Sequence, residues 1–241
     1  MRISFGVKNS HVLAVCLCWP VLVNANDDLA AVKLSYQEME PGTDVYKVIF
    51  TVSERYLRID DESDESGYII YDSRENRVYS ISHEDKAILV IPQYPISDLK
   101  AEFDITIDVE ALEKAPKIAG KTVYNYRVSA VTSVTTETCM DIQLVPGLLP
   151  DVAETLQAFQ KVISGQQLMN LEATPEEFRT PCYLVDQVYN KGDYYSRGLP
   201  IQEWHSNERM RQLMNYENVK VNSSVFDIPA EYRQFSLNNN N

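Results

Sequence analysis

From residue 44 onward, apolar and polar side chains alternate. Tyr46, Val48, Phe50 and Val52 are interleaved with Lys47, Ile49 and Thr51, a period of two that predicts a strand. The segments 56–59, 68–71, 78–81 and 87–91 repeat this in runs of four to five residues. Polar turns separate them: the acidic stretch Asp60–Gly67, then Asp72–Asn76, then His83–Asp85. Short strands joined by short polar turns predict an antiparallel up-and-down meander. Alternation returns in 101–108 (Phe103, Ile105, Ile107), in Thr122–Ser133 and in Thr136–Val145, and Pro146-Gly147 closes the run. Further strands are expected at Tyr183–Tyr189, Ile201–His205 and Val225–Pro229.

Two segments carry a helical period. Val152, Leu156, Phe159 and Val162 recur at three and four residues after Pro150-Asp151, which suits a helix start, so a helix is predicted over about 150–164. Residues 207–218 are expected to form a shorter helix. The fold class is therefore mostly β: an antiparallel, unclosed, strongly curved sheet or half-barrel with covering helices. Several strands are apolar on both sides; Ile88 and Val90 lie opposite Ala87, Leu89 and Ile91. A sheet wet on one face alternates more strictly, so a helix, a second sheet or a ligand must cover the second face. With the 150–164 helix as cover, the expected groove lining is Phe50, Val52, Ile88, Val90, Phe159 and Val162.

The N-terminus reads as an export signal. Arg2 and Lys8 precede an apolar run from Val12 to Val23, too short to span a bilayer, and Val23 and Ala25 suit a cleavage site after Ala25. Residues 26–237 are then a single β-rich domain and 238–241 a frayed tail. A lipoprotein attached through Cys16 is the alternative, but Val15 is bulky for the position before a lipidated cysteine. Once the signal leaves, only Cys139 and Cys182 remain, and an even pair in an oxidising compartment forms one disulfide. The rival reading is a redox or metal pair, although no CxxC spacing is present.

Charge narrows the partners. The formal net charge is −13, and loss of Arg2 and Lys8 deepens it. Such a surface repels nucleic acid and anionic headgroups. No second apolar stretch of spanning length follows the signal, so no integral membrane span is expected.

Catalytic and metal chemistry finds little support. His83 and His205 are far apart in sequence, and zinc sites need three or four ligands. Asp60, Glu62 and Asp64 alternate as in a calcium loop, but Tyr71 stands where a bidentate glutamate is required. No nucleophile elbow or phosphate loop is found, no cofactor is expected, and the chain reads as a non-enzyme. Fifteen tyrosines, among them Tyr124, Tyr126, Tyr194 and Tyr195, suit either an aromatic-lined groove or ordinary sheet core.

Lys117-Ile118-Ala119-Gly120 before an alternating strand, the apolar helix, and Val225-Phe226-Asp227-Ile228-Pro229-Ala230-Glu231-Tyr232 near the end together resemble a group of exported bacterial domains. That group is similar to the periplasmic lipoprotein carriers, the LolA-like half-barrels. The resemblance implies an open half-barrel whose helix-covered concave face holds acyl chains. Thr122-Val123-Tyr124 stands where the group has a cysteine, and no ligand-contacting position transfers residue by residue. Two functions follow as expectations: a periplasmic binder or chaperone of an apolar ligand (a lipid or lipoprotein acyl chain), or an interaction module that docks an exported partner protein without a small ligand.

Overall fold

The computed structural model describes residues 28–61, 66–94, 105–189 and 191–237. Residues 1–25, with the expected signal and Cys16, and the tail 238–241 lie outside them. Among the described residues, twelve strands form one unclosed sheet. Six belong to an antiparallel meander: β1 (Asp28–Met39), β2 (Tyr46–Ser53), β3 (Tyr56–Asp61), β4 (Gly67–Asp72), β5 (Arg77–Ser82) and β6 (Ala87–Pro92). A second meander comprises β7 (Thr106–Ile118), β8 (Lys121–Val131) and β9 (Thr136–Val145). The hairpin of β10 (Leu199–His205) and β11 (Met210–Asn222) joins them, β10 pairing with β9 and β11 with β1. A short last strand, β12 (Arg233–Phe235), adds parallel to β6 at the sheet edge.

The predicted helix is present and longer than expected: α1 spans Pro150–Met169. Gly147 turns the chain out of β9 with φ +67°, and Pro150 occupies the first turn, where its missing N–H costs nothing. α1 packs against β5, β6 and β10 over one face of the sheet. Under it runs a lateral apolar row, Val32–Val52–Leu57–Tyr71–Val78–Ile91, with one residue from each strand of the first meander. These residues and Leu34, Phe50, Val152, Leu156 and Val162 form the main core.

The opposite face has its own cover. After β11 the chain makes a 3-10 turn at Ser223–Phe226 and continues to Tyr232 as a strap over Ile70, Tyr79, Ile81 and Ile88. Phe226 stacks on Tyr56 at 5.3 Å between ring centroids. Arg58 donates to the Val225 carbonyl at 2.8 Å, Tyr68 donates to that of Asp227 at 2.9 Å, and His83 meets the Tyr232 hydroxyl at 2.9 Å. Both faces of the first meander are therefore protein-covered, which explains its two-sided apolar strands.

Charge also enters the interior. Along a parallel row, Glu38, Arg211 and Glu203 sit side by side on β1, β11 and β10. Arg211 Nε donates to Glu38 Oε1 at 2.7 Å and its Nη1 lies 3.6 Å from Glu203 Oε2. Tyr194 donates to Glu203 Oε1 at 2.8 Å. Burial pushes the Arg211 guanidinium down, but the two carboxylates outweigh it and hold its pKa well above the ordinary value.

Cys139 of β9 and Cys182 form a disulfide with a Cα–Cα distance of 5.0 Å. This pairing, inferred above from the compartment and the even count, is realised. Three element assignments are corrected. Residues 207–218 hold most of β11 rather than a helix, because Arg211 completes the ladder between β1 and β10. Tyr183–Tyr189 is helical: α2 (Pro181–Tyr183) runs into a π-helical turn, Leu184–Tyr189, whose Leu184 and Val188 bury one helical turn apart against Leu171. Val225–Pro229 is the strap rather than a strand.

Candidate ligand groove

The first turns of α1 stand over β1, β2 and the β4–β5 turn and leave an open-sided groove of about 650 Å³. Val32, Val52, Tyr71, Val152 and Ala158 supply its apolar surface. Every charged residue on its wall is an acid: Glu54, Asp151 and Glu154. Asp151 lies in the first turn of α1, where an acidic side chain is favoured by the helix dipole, and Glu154 follows one turn later. Tyr71 donates its hydroxyl to Asn76 Oδ1 at 3.0 Å, and burial followed by the Asp72 charge pushes its phenol up, so it stays neutral.

The six residues expected to line a groove are distributed over both faces. Val52 is part of the groove wall. Phe159 is half-buried beside it, its ring edge-on to Tyr71 at 6.1 Å. Phe50 and Val162 join the same core but are 3% and 0% exposed, solid packing under α1. Ile88 and Val90 belong to the opposite face under the strap, because Leu89 and Ile91 take the helix side of β6. The groove thus brings together the end of β2 and the start of α1, and leaves β6 out.

Other candidates fall elsewhere. Of the acidic stretch read against a calcium loop, residues 62–65 lie outside the described residues, and among the described residues no cluster of metal-binding side chains occurs. His83 packs in the strap, and His205 meets Asp186 at 3.0 Å. Ala30, Ala31 and Asn218 also line the groove. The first two sit on β1, before the segment in which strands were read; the alternation of Val32, Leu34 and Tyr36 with Lys33, Ser35 and Gln37 is the signal for that strand. Asn218 lies in β11, in the segment expected to be helical.

Among the described residues, no helix is long and apolar enough to cross a membrane. No family model matches the sequence. No curated protein matches it either. Among solved structures, the chain is similar to PNGF-II in its C2 crystal form, at 11% identity and a TM-score of 0.42, covering 86% of this chain and 31% of that one. The P21 form of PNGF-II gives 8% identity and a TM-score of 0.43, over 86% and 32%. The chain spans about a third of the length of these neighbours. Scores this low leave the likeness too distant to transfer a fold family or an activity.

Proposed function

We propose that this protein is an exported carrier of an apolar tail, such as the acyl chain of a lipid or lipoprotein, held in the groove beneath the start of α1. The groove itself carries this reading. Its volume of about 650 Å³ falls within the ~300–1,000 Å³ of pockets that enclose small ligands. Its apolar surface is aliphatic and aromatic, its charged groups are Glu54, Asp151 and Glu154, and uncharged polar residues such as Ser53, Asn76 and Asn218 complete the wall. With only acids at the rim, the head of the ligand is neutral or cationic; an anionic head meets like charge. An oxidising compartment such as the periplasm belongs to this reading, and the Cys139–Cys182 bridge supports it. The resemblance to lipoprotein carriers points the same way.

Calorimetric titration of the purified chain with decyltrimethylammonium and with decanoate, both below micelle formation, tests the reading. The cationic amphiphile binds and decanoate binds at least about tenfold more weakly, a difference of ~1.4 kcal/mol. Ala158→Trp, which fills the groove from α1, abolishes binding. Absence of heat from both amphiphiles, or binding undisturbed by the tryptophan, overturns the proposal.

A further inference from the structure

Near the middle of α1 the described residues enclose a second pocket, separate from the groove and different in chemistry. It measures about 150 Å³, an order of magnitude more than the ~10–15 Å³ that one water needs. Gln160 and Ile163 of α1 and Asp186 and Gln187 of the π-helical turn form one side; the buried ladder Glu38–Arg211–Glu203 and the β10–β11 turn form the other. π-helical turns are rare and recur at functional sites.

Most of its charges are already matched. Glu38 and Glu203 share Arg211. His205 Nδ1 lies 3.0 Å from Asp186 Oδ2, and Arg209 Nη2 lies 3.2 Å from His205 Nε2. Arg209 Nη2 also lies 3.4 Å from His205 Nδ1, so the guanidinium rests against the face of the imidazole while Nδ1 meets Asp186 at the ring edge.

Two groups remain incomplete. Asp186, whose side chain is 8% exposed, leaves Oδ1 buried without a hydrogen-bond partner among the described residues. A buried carboxylate oxygen without a donor is destabilising, and an ammonium is a donor that would restore it. Arg209 bonds through its guanidinium to His205 and forms no ion pair with any carboxylate among the described residues. Its planar fork is suited to a carboxylate. Asp186 and Arg209 both line the pocket and both contact the His205 imidazole, so one small molecule can reach an acid and a guanidinium together. Met140, Ile163 and Met210 add apolar wall beside them.

We propose that this pocket binds a small zwitterion of the α-amino-acid class, its ammonium on Asp186, its carboxylate on Arg209 and a short apolar side chain against Met140, Ile163 and Met210. The site is independent of the groove.

Calorimetry on the intact chain with three probes tests it: L-alanine, L-alanine methyl ester, which lacks the carboxylate, and propionate, which lacks the ammonium. Alanine binds, while the ester and propionate are each at least about tenfold weaker, as expected when a charged hydrogen-bond partner is missing. Arg209→Gln and Asp186→Asn each weaken alanine by a similar factor, and Ala158→Trp in the groove leaves it unchanged. If Asp186→Asn fails to fold, Arg209→Gln decides alone. No alanine binding up to about 10 mM, equal binding of the ester or propionate, or an Arg209→Gln variant that binds alanine normally overturns the proposal.

Discussion

Arg211 and Glu38 are 173 residues apart in sequence and are joined by a 2.7 Å hydrogen bond from Nε to Oε1. They face each other across β11 and β1, the seam where the last hairpin closes onto the first strand. Glu203 completes the row from β10. The two meanders of the sheet are therefore joined at a point where three charged side chains leave water together.

Arg211→Met leaves two carboxylates facing each other without their cation. The loss of stability is about 2–3 kcal/mol, less than the ~3–5 for a fully buried pair because a third of the Arg211 side chain reaches solvent. Urea midpoints of the variant and the native chain check this; a loss below about 1 kcal/mol rejects the ion-pair account.

Asp72 sets a pH dependence of stability. Burial pushes its carboxyl up, but hydrogen bonds from Arg55 and from the backbone N–H groups of Arg74 and Glu75 outweigh burial and leave it lowered. A lowered carboxyl stabilises the fold above the ordinary aspartate range near ~3.9 and loses that contribution as pH falls through the folded value. The advantage of the native chain over Asp72→Asn is thus full at pH 6 and shrinks below about pH 4. Thermal melts across that range measure it; an advantage that grows on acidification contradicts the assignment.

Breaking the Cys139–Cys182 bridge costs about 3–4 kcal/mol on the chain-entropy account. The bridge ties β9 to the start of the helical segment that carries Asp186. A Cys139→Ala/Cys182→Ala chain therefore melts earlier and exchanges amides faster over 181–189 than in β2–β5. Hydrogen exchange by mass spectrometry reads this directly, and uniform exchange across both regions counts against it.

Phe226 is 4% exposed and is the apolar anchor of the C-terminal strap. Phe226→Ala costs about 3 kcal/mol, at the low end for a buried aromatic, because the strap can partly settle into the space. Its signature is faster exchange in 223–235 with α1 still protected. Loss of protection in α1 as well would show that the two covers are not separable.

The sequence by itself determined the fold class, the strands β2 to β6 of the first meander, β8 to β10 and the helix after Pro150. Each of these has a local cause: a period of two, a period of 3.6, or a turn and cap residue at the right place. It also placed the disulfide, from the count and the compartment. Thr180-Pro181, a cap followed by a proline at the first helical position, was a legible start for the segment read instead as a strand. What only the tertiary structure decided is how the elements share faces. Ile88 and Phe50 look alike along the chain, yet one lies under the strap and the other under α1, because the two sides of a doubly covered sheet carry the same apolar signal. The helix expected over 207–218 was overridden by the gap between β1 and β10, and Glu38, Arg211 and Glu203 met only when that gap was filled. Local pattern records what a residue must avoid in water; the neighbour it meets depends on contacts between distant parts of the chain.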